Sequence, residues 1–144
     1  MTETLAGTPF RKMNGLGNDF VVIDARGTPF AITPESARRI TDRKRGVGCD
    51  QLIVLETSSR ADVFMRIINA DGSEVDACGN AARCIGRLIM DETHAPSATI
   101  ETKADLLFAS EGGSGFVSVD MGRPRFDWAS IPLAGPAEIG RAHV

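Results

Sequence analysis

Residues 80–91 constrain the fold more than any other part of the chain. Their charges, Arg83, Arg87 and Asp91, recur at i, i+4 and i+8, which winds into one narrow polar stripe on a helix. Ala81, Ala82, Cys84, Ile85, Leu88, Ile89 and Met90 cover the remaining circumference. A helix apolar over most of its girth is not stable against water, so other elements must enclose it.

Candidates to do so lie on both sides. Upstream, residues 10–13 and 20–24 read as strands flanking the tight Asn14-Gly15-Leu16-Gly17-Asn18 loop. Residues 52–55 read as a buried strand, and residues 63–69 as another that ends in a turn built on Asp71 and Gly72. Downstream, residues 98–102, 106–110 and 116–120 return to short strands, with Gly112-Gly113-Ser114-Gly115 as a hairpin loop. A second helix is expected after Thr33: an N-cap hydroxyl, Pro34 at N1 and Glu35 near the positive end. Ala37 and Ile40 then face inward, and Arg38, Arg39 and Asp42 outward. The expectation is an α+β fold, with mixed and antiparallel strands wrapped around one central helix. Residues 1–8 read as a loose lead-in, 9–130 as the domain and 131–144 as an irregular tail, truncated or artefactual. One DNA encoding of residues 139–144 resembles a sequencing adapter, which is the basis of that last reading.

Composition narrows the partners. The 144 residues are 42% hydrophobic and 24% charged, ordinary for a folded domain. Sixteen Lys and Arg against nineteen Asp and Glu leave a net charge of −3, which argues against nucleic acid or an anionic membrane as the main partner. No apolar run reaches the ~18 residues of a membrane span. The opening Met1-Thr2-Glu3-Thr4-Leu5 lacks a basic, greasy signal. Three cysteines, an odd number, then fit free thiols in a reducing compartment, so a cytoplasmic location is expected. Cys49, Cys78 and Cys84 show no Cys-x-x-Cys spacing, and His94 and His143 lie far apart, so no metal site is expected.

The densest chemistry is in residues 69–84: a strand, a turn, then Cys78 at the mouth of the enclosed helix. A helix start offers unpaired N–H groups and partial positive charge, a setting that binds a carboxylate and favours a thiolate. Half-ionising an ordinary thiol at pH 7 needs a shift of ~1.5 units, about 2 kcal/mol. A helix terminus contributes roughly 0.3–1 kcal/mol, and up to ~2 when partly buried. The dipole alone is therefore marginal, and further donors or exclusion of water must help. Cys84 falls about 240° further round the helix, among aliphatic residues, and reads as packing. Cys49, in a glycine-rich loop, reads the same way.

Gly15-Leu16-Gly17 and Gly46-Val47-Gly48 begin like a dinucleotide fingerprint, but Phe20 and Gln51 occupy the third glycine position. These glycines instead let the backbone turn sharply and bring Asn18 and Gln51 beside a ligand. Arg43, Lys44 and Arg45 read as a solvated helix exit.

Three ordered motifs carry a family resemblance. Met13-Asn14-Gly15-Leu16-Gly17-Asn18-Asp19-Phe20, Gly46-Val47-Gly48-Cys49-Asp50-Gln51-Leu52, and Asn69-Ala70-Asp71-Gly72-Ser73-Glu74 through Cys78-Gly79-Asn80 resemble the N-terminal half of the diaminopimelate epimerases. The likeness covers residues 10–125, with Ala81 standing where many members have glycine. It implies a cofactor-independent, two-base epimerisation of L,L-diaminopimelate to the meso form, for lysine and cell-wall synthesis. By the match, Cys78 is one of two catalytic cysteines. Asn18, Gln51 and Asn69 would hold the substrate's ammonium and carboxylate groups, and the Gly79 and Asn80 amides the reacting carboxylate. The family has two similar domains, and its second cysteine lies in a later motif absent here. The resemblance therefore implies a missing C-terminal domain as partner, little or no activity of this chain alone and an exposed apolar face, with a homodimer left open. Two alternatives stand beside it: a proline-racemase-like or phenazine-type isomerase, or a non-catalytic amino-acid-binding module of the same fold. The first commonly has histidine where this chain has Asn80, and the phenazine enzymes lack the cysteine.

Overall fold

The computed structural model describes residues 7–130. The expected tail and the first six residues of the expected lead-in lie outside that range. Eight strands and two helices follow in the order β1 (Arg11–Gly15), β2 (Asn18–Asp24), α1 (Pro34–Thr41), β3 (Gln51–Glu56), β4 (Val63–Asn69), β5 (Glu74–Val75), α2 (Gly79–Thr93), β6 (Ser97–Glu101), β7 (Leu106–Glu111) and β8 (Val117–Asp120). A short 3₁₀ turn, Trp128–Ser130, comes last.

The strands form one mixed sheet in the order β1-β2-β3-β4-β6-β7-β8, with β5 paired to β4 off that path. Two neighbour pairs are parallel, β2 with β3 and β4 with β6, and the others are antiparallel. Each parallel pair needs a crossover, and each crossover carries a helix: α1 between β2 and β3, α2 between β4 and β6. The two helices take opposite faces. α2 touches β1 and β2 near one edge and β6, β7 and β8 at the other, so the sheet curls around it as a half-barrel. This is the enclosure that its apolar girth requires.

Period-two alternation sorts the side chains between the faces. Phe20 and Val22 of β2, Ile53 and Leu55 of β3, and Val63, Met65 and Ile67 of β4 point inward, against Ile85, Ile89 and the rest of the α2 core. Val21, Ile23, Leu52, Val54 and Ile68 point outward into a second core capped by Ala37 of α1. Burial on both faces explains why β2 and β3 read as near-continuous apolar runs in sequence. Gly86 sits where α2 lies hardest against β7; a Cβ there would stand 2.4 Å from the Ala109 Cβ. α1 starts as expected: Thr33 Oγ1 accepts from the Ser36 amide at 3.1 Å, and Ser36 Oγ accepts from the Thr33 amide at 3.0 Å.

The differences from expectation are local. β5 is only two residues long, too short to show alternation in sequence. α2 begins one residue early, with Cys78 itself as the N-cap. Among the exposed large apolar side chains are Leu16, Phe116, Met121 and Phe126. No helix among the described residues is long and apolar enough to cross a membrane.

Candidate active site

The inward-facing parity of the strands continues into their polar ends. Asn18 precedes Phe20 and Val22, Gln51 precedes Ile53 and Leu55, and Asn69 follows Ile67, each two residues along. All three amides therefore stand on the helix-facing side of the sheet. Register brings them to one end, because Gln51 pairs with Phe20 on one side and with Asn69 on the other. The N-terminus of α2 is delivered to the same place. A Cβ on Gly15 would lie 3.0 Å from the Asn80 carbonyl and 3.1 Å from Cys84 Sγ, so β1 packs tightly against the start of α2 at this glycine.

The structure thus brings the six expected site residues to one end of the sheet, and all six are half-buried. Asn80 Nδ2 donates to Asn18 Oδ1 at 2.5 Å, and Gln51 Nε2 donates to Asn69 Oδ1 at 2.9 Å. Asn69 is anchored by its own turn, where its amide N–H meets the Ser73 carbonyl at 2.8 Å and its side chain donates to Ser73 Oγ at 3.2 Å. Cys78 holds an extended backbone, φ −150° and ψ 115°, and its carbonyl closes the first turn by accepting from Ala82 at 2.9 Å. Its side chain makes no capping bond, and the first turn of α2 carries no acidic residue. Among the described residues, the first turn of α2 brings no carboxylate of its own to the helix mouth beside the sulfur, where the leading N–H groups and the positive helix end suit a ligand anion.

The other two thiols are different in kind. Cys49 and Cys84 are 2% and 7% exposed, in the outer and inner cores. Burial pushes both thiols up, and Cys84 further because Cys78 lies near it. Neither is suited to act as a base.

A charge cluster braces the loops from behind. Arg43 forks onto both Asp19 oxygens at 2.9 and 2.7 Å and reaches Asp50 Oδ1 at 2.9 Å. Asp50 Oδ2 accepts from the Asp19 amide at 3.0 Å and from Asn18 Nδ2 at 3.3 Å, while the Asp50 amide donates to Asp19 Oδ1 at 2.9 Å. Lys12 adds a bond to Asp19 at 3.1 Å and another to the Gly48 carbonyl. The Arg43 guanidinium holds the Asp19 carboxyl far below the usual carboxylate range, against the opposing cost of desolvation and with further help from Lys12 and the Asp50 amide. Arg43 is solvent-exposed, as expected of this helix exit, and in addition ties the loop of Asn18 to the loop of Gln51. Arg83 is a residue whose part differs from expectation. Arg87 and Asp91 pair along the helix at 3.6 Å, but Arg83 turns to Asn80 Oδ1 at 2.6 Å.

A cleft of about 860 Å³ opens on the far side of the sheet, lined by Val21, Ile23, Phe30, Ile40 and Arg38 among others; it includes none of the six site residues. No group of three or more His, Cys, Asp or Glu side chains converges as a metal site among the described residues.

A similar fold occurs in solved structures of other proteins. A hydroxyproline epimerase from Agrobacterium vitis matches with TM-score 0.56 and 17% identity, over 76% of this chain and 40% of that one. A phenazine biosynthesis protein from Bacillus anthracis matches with TM-score 0.51 and 27% identity, over 76% and 37%. Sequence narrows this class further. The family model for diaminopimelate epimerase matches residues 10–126, and the chain belongs to that family. It is 56% identical over 133 residues to the diaminopimelate epimerase of Acidiphilium cryptum, covering 92% of this chain and 48% of that protein. It is 60% identical over 126 residues to that of Rhizorhabdus wittichii, covering 87% and 44%. The chain spans about half the length of the curated relatives it matches.

Proposed function

We propose that this chain supplies one catalytic half of a cofactor-independent epimerase that converts L,L-diaminopimelate to the meso form, for lysine and peptidoglycan precursor synthesis. The observation that carries the reading is Cys78: a half-buried thiol that is itself the uncapped N-cap of α2, with Asn80, Asn18, Gln51 and Asn69 around the same end of the sheet. The Gly79 and Asn80 amides bind the carboxylate next to the reacting carbon, and the three side-chain amides orient the rest of the amino-acid group.

In this reading the Cys78 thiolate takes the α-proton, or as thiol returns one. The electron pair of the broken C–H bond spreads into the carboxylate, where the helix mouth stabilises the added negative charge. Inversion requires a second acid on the opposite face of the planar centre. Cys49 and Cys84 are buried in the two cores, so that thiol comes from the second half present in the relatives. Residues 9–130 form the half that closes on it, and three free thiols fit a cytoplasmic setting. A homodimer of the complete enzyme is compatible with this arrangement and is not required by it.

The test is α-hydrogen exchange in D₂O. The chain alone is expected to bind diaminopimelate and give little or no racemisation. Combined with the second half of a relative, it should convert L,L-diaminopimelate to the meso form with deuterium at the inverted α-carbon, and Cys78→Ala should abolish that inversion. Inversion that survives Cys78→Ala, or full turnover by the chain alone, refutes the reading.

A further inference from the structure

A file of three hydrogen bonds crosses the mouth of α2. Arg83 Nη1 donates to Asn80 Oδ1 at 2.6 Å, Asn80 Nδ2 donates to Asn18 Oδ1 at 2.5 Å, and Asn18 Nδ2 donates to Asp50 Oδ2 at 3.3 Å. The two ends are one-way groups, since a guanidinium only donates and a carboxylate only accepts. The two amides between them are reversible: turning either over exchanges its oxygen for its NH₂ in nearly the same volume.

Turning Asn80 alone sets its NH₂ against Arg83 and its oxygen against the Asn18 oxygen. Turning Asn18 alone sets NH₂ against NH₂ and oxygen against Asp50. Turning both keeps the middle bond and spoils the two ends. Every alternative replaces two of the three bonds with like-facing groups, so a single orientation survives. Asp50 is itself held, by Arg43 at 2.9 Å and by the Asp19 amide at 3.0 Å.

We propose that Asp50 and Arg83 are positioning residues that lock the Asn18 and Asn80 amides in one orientation, so that each keeps one N–H outside the file for a ligand carboxylate. The role rests on the function proposed above for its ligand, but the lock exists without one. It also explains why a guanidinium lies over this helix start, where its charge alone opposes the positive end of the helix. Specificity follows from the lock: reversed amides would offer oxygens and repel the carboxylate.

The experiment uses the ¹⁵N-labelled 144-residue chain and three variants, with diaminopimelate as the titrant. Arg83→Lys keeps a donor-only end, whereas Arg83→Gln and Asp50→Asn put a reversible amide at either end. The chain and Arg83→Lys should each show one set of Asn18 and Asn80 side-chain NH₂ signals, with the shared Asn80 proton protected from solvent. Arg83→Gln and Asp50→Asn should show a second or averaged set, with a cooperative melting transition retained and diaminopimelate affinity lowered about tenfold. Arg83→Lys should stay within about threefold of the parent chain. One unshifted set of signals in both Arg83→Gln and Asp50→Asn overturns the lock, whatever the affinities do. So does an Arg83→Lys variant as impaired as Arg83→Gln. If the signals change as expected but the parent chain does not bind diaminopimelate, the epimerase reading and the ligand role fall together, and the lock alone stands.

Discussion

Gly86→Ala separates intrinsic helix preference from enclosure. In an exposed helix, replacing glycine by alanine stabilises by about 1 kcal/mol. Gly86 lies in the middle of α2, so propensity alone predicts a gain. Its added methyl carbon would stand 2.4 Å from the Ala109 Cβ and 3.6 Å from Val117 Cγ1. Carbon atoms in contact sit about 3.5–4.0 Å apart, so the first contact overlaps by more than 1 Å. The atom it meets is fixed to the β7 backbone and cannot rotate away, so α2 must move off the sheet. Overpacking of this kind costs about 1–3 kcal/mol and occasionally more. At the upper end, less the propensity gain, Gly86→Ala should lose about 2 kcal/mol. For a chain of this length that lowers Tm by about 7 °C. Ala109→Gly in the same chain should recover most of the loss, giving a coupling above about 1 kcal/mol in a double-mutant cycle followed by urea unfolding. A Gly86→Ala variant with raised Tm would show that α2 is not clasped by β7 as described. Gly79→Ala is the control, because its added methyl carbon meets nothing nearer than Met121 Sδ at 3.9 Å.

Three further outcomes follow from particular contacts. Gly15→Ala should impair the site as well as stability, by about 1–3 kcal/mol, because the new methyl carbon presses on the Asn80 carbonyl and Cys84 Sγ; chemical-shift changes centred on Asn18, Asn80 and Cys84 would show the displacement, and a silent spectrum would refute it. Thr33→Ala should cost about 1 kcal/mol by opening the cap of α1 without touching diaminopimelate binding, as read by paired urea and titration curves. The Asp19 carboxyl, depressed by Arg43 and Lys12, contributes stability that is complete above the ordinary carboxylate range near pH 4 and is lost as the pH falls below it. Arg43→Ala should raise the Asp19 titration and shrink that acid-dependent loss; an unmoved carboxyl titration would show the ion cluster to be inert.

The legible part of this molecule is whatever repeats along the chain. The apolar girth of residues 80–91 announces an enclosed helix, and the Thr33-Pro34-Glu35 start announces the other. Alternation also carries more than it first shows: counting by twos from Phe20, Ile53 and Ile67 places Asn18, Gln51 and Asn69 on the helix-facing side of the sheet. The curl of the sheet is not written locally, because it depends on α2 meeting both β1 and β8. Arg43 is opaque for the same reason, since its partner Asp19 lies 24 residues away and the basic run around it looks like any wet helix exit. Arg83 is an intermediate case. Its spacing of three from Asn80 puts both on one helix face, yet the matching charges of Arg87 and Asp91 invite a uniform stripe, and only the fold shows the stripe dividing.

The state of the sulfur at the start of α2 is open to direct measurement by residue-resolved alkylation with iodoacetamide, read by mass spectrometry from about pH 6 to 9 with and without diaminopimelate. Cys78 should be modified well before Cys49 and Cys84, and diaminopimelate should slow its modification while leaving the buried pair unchanged. A Cys78 no more reactive than those two, or one indifferent to diaminopimelate, would contradict the assignment of this thiol to the chemistry.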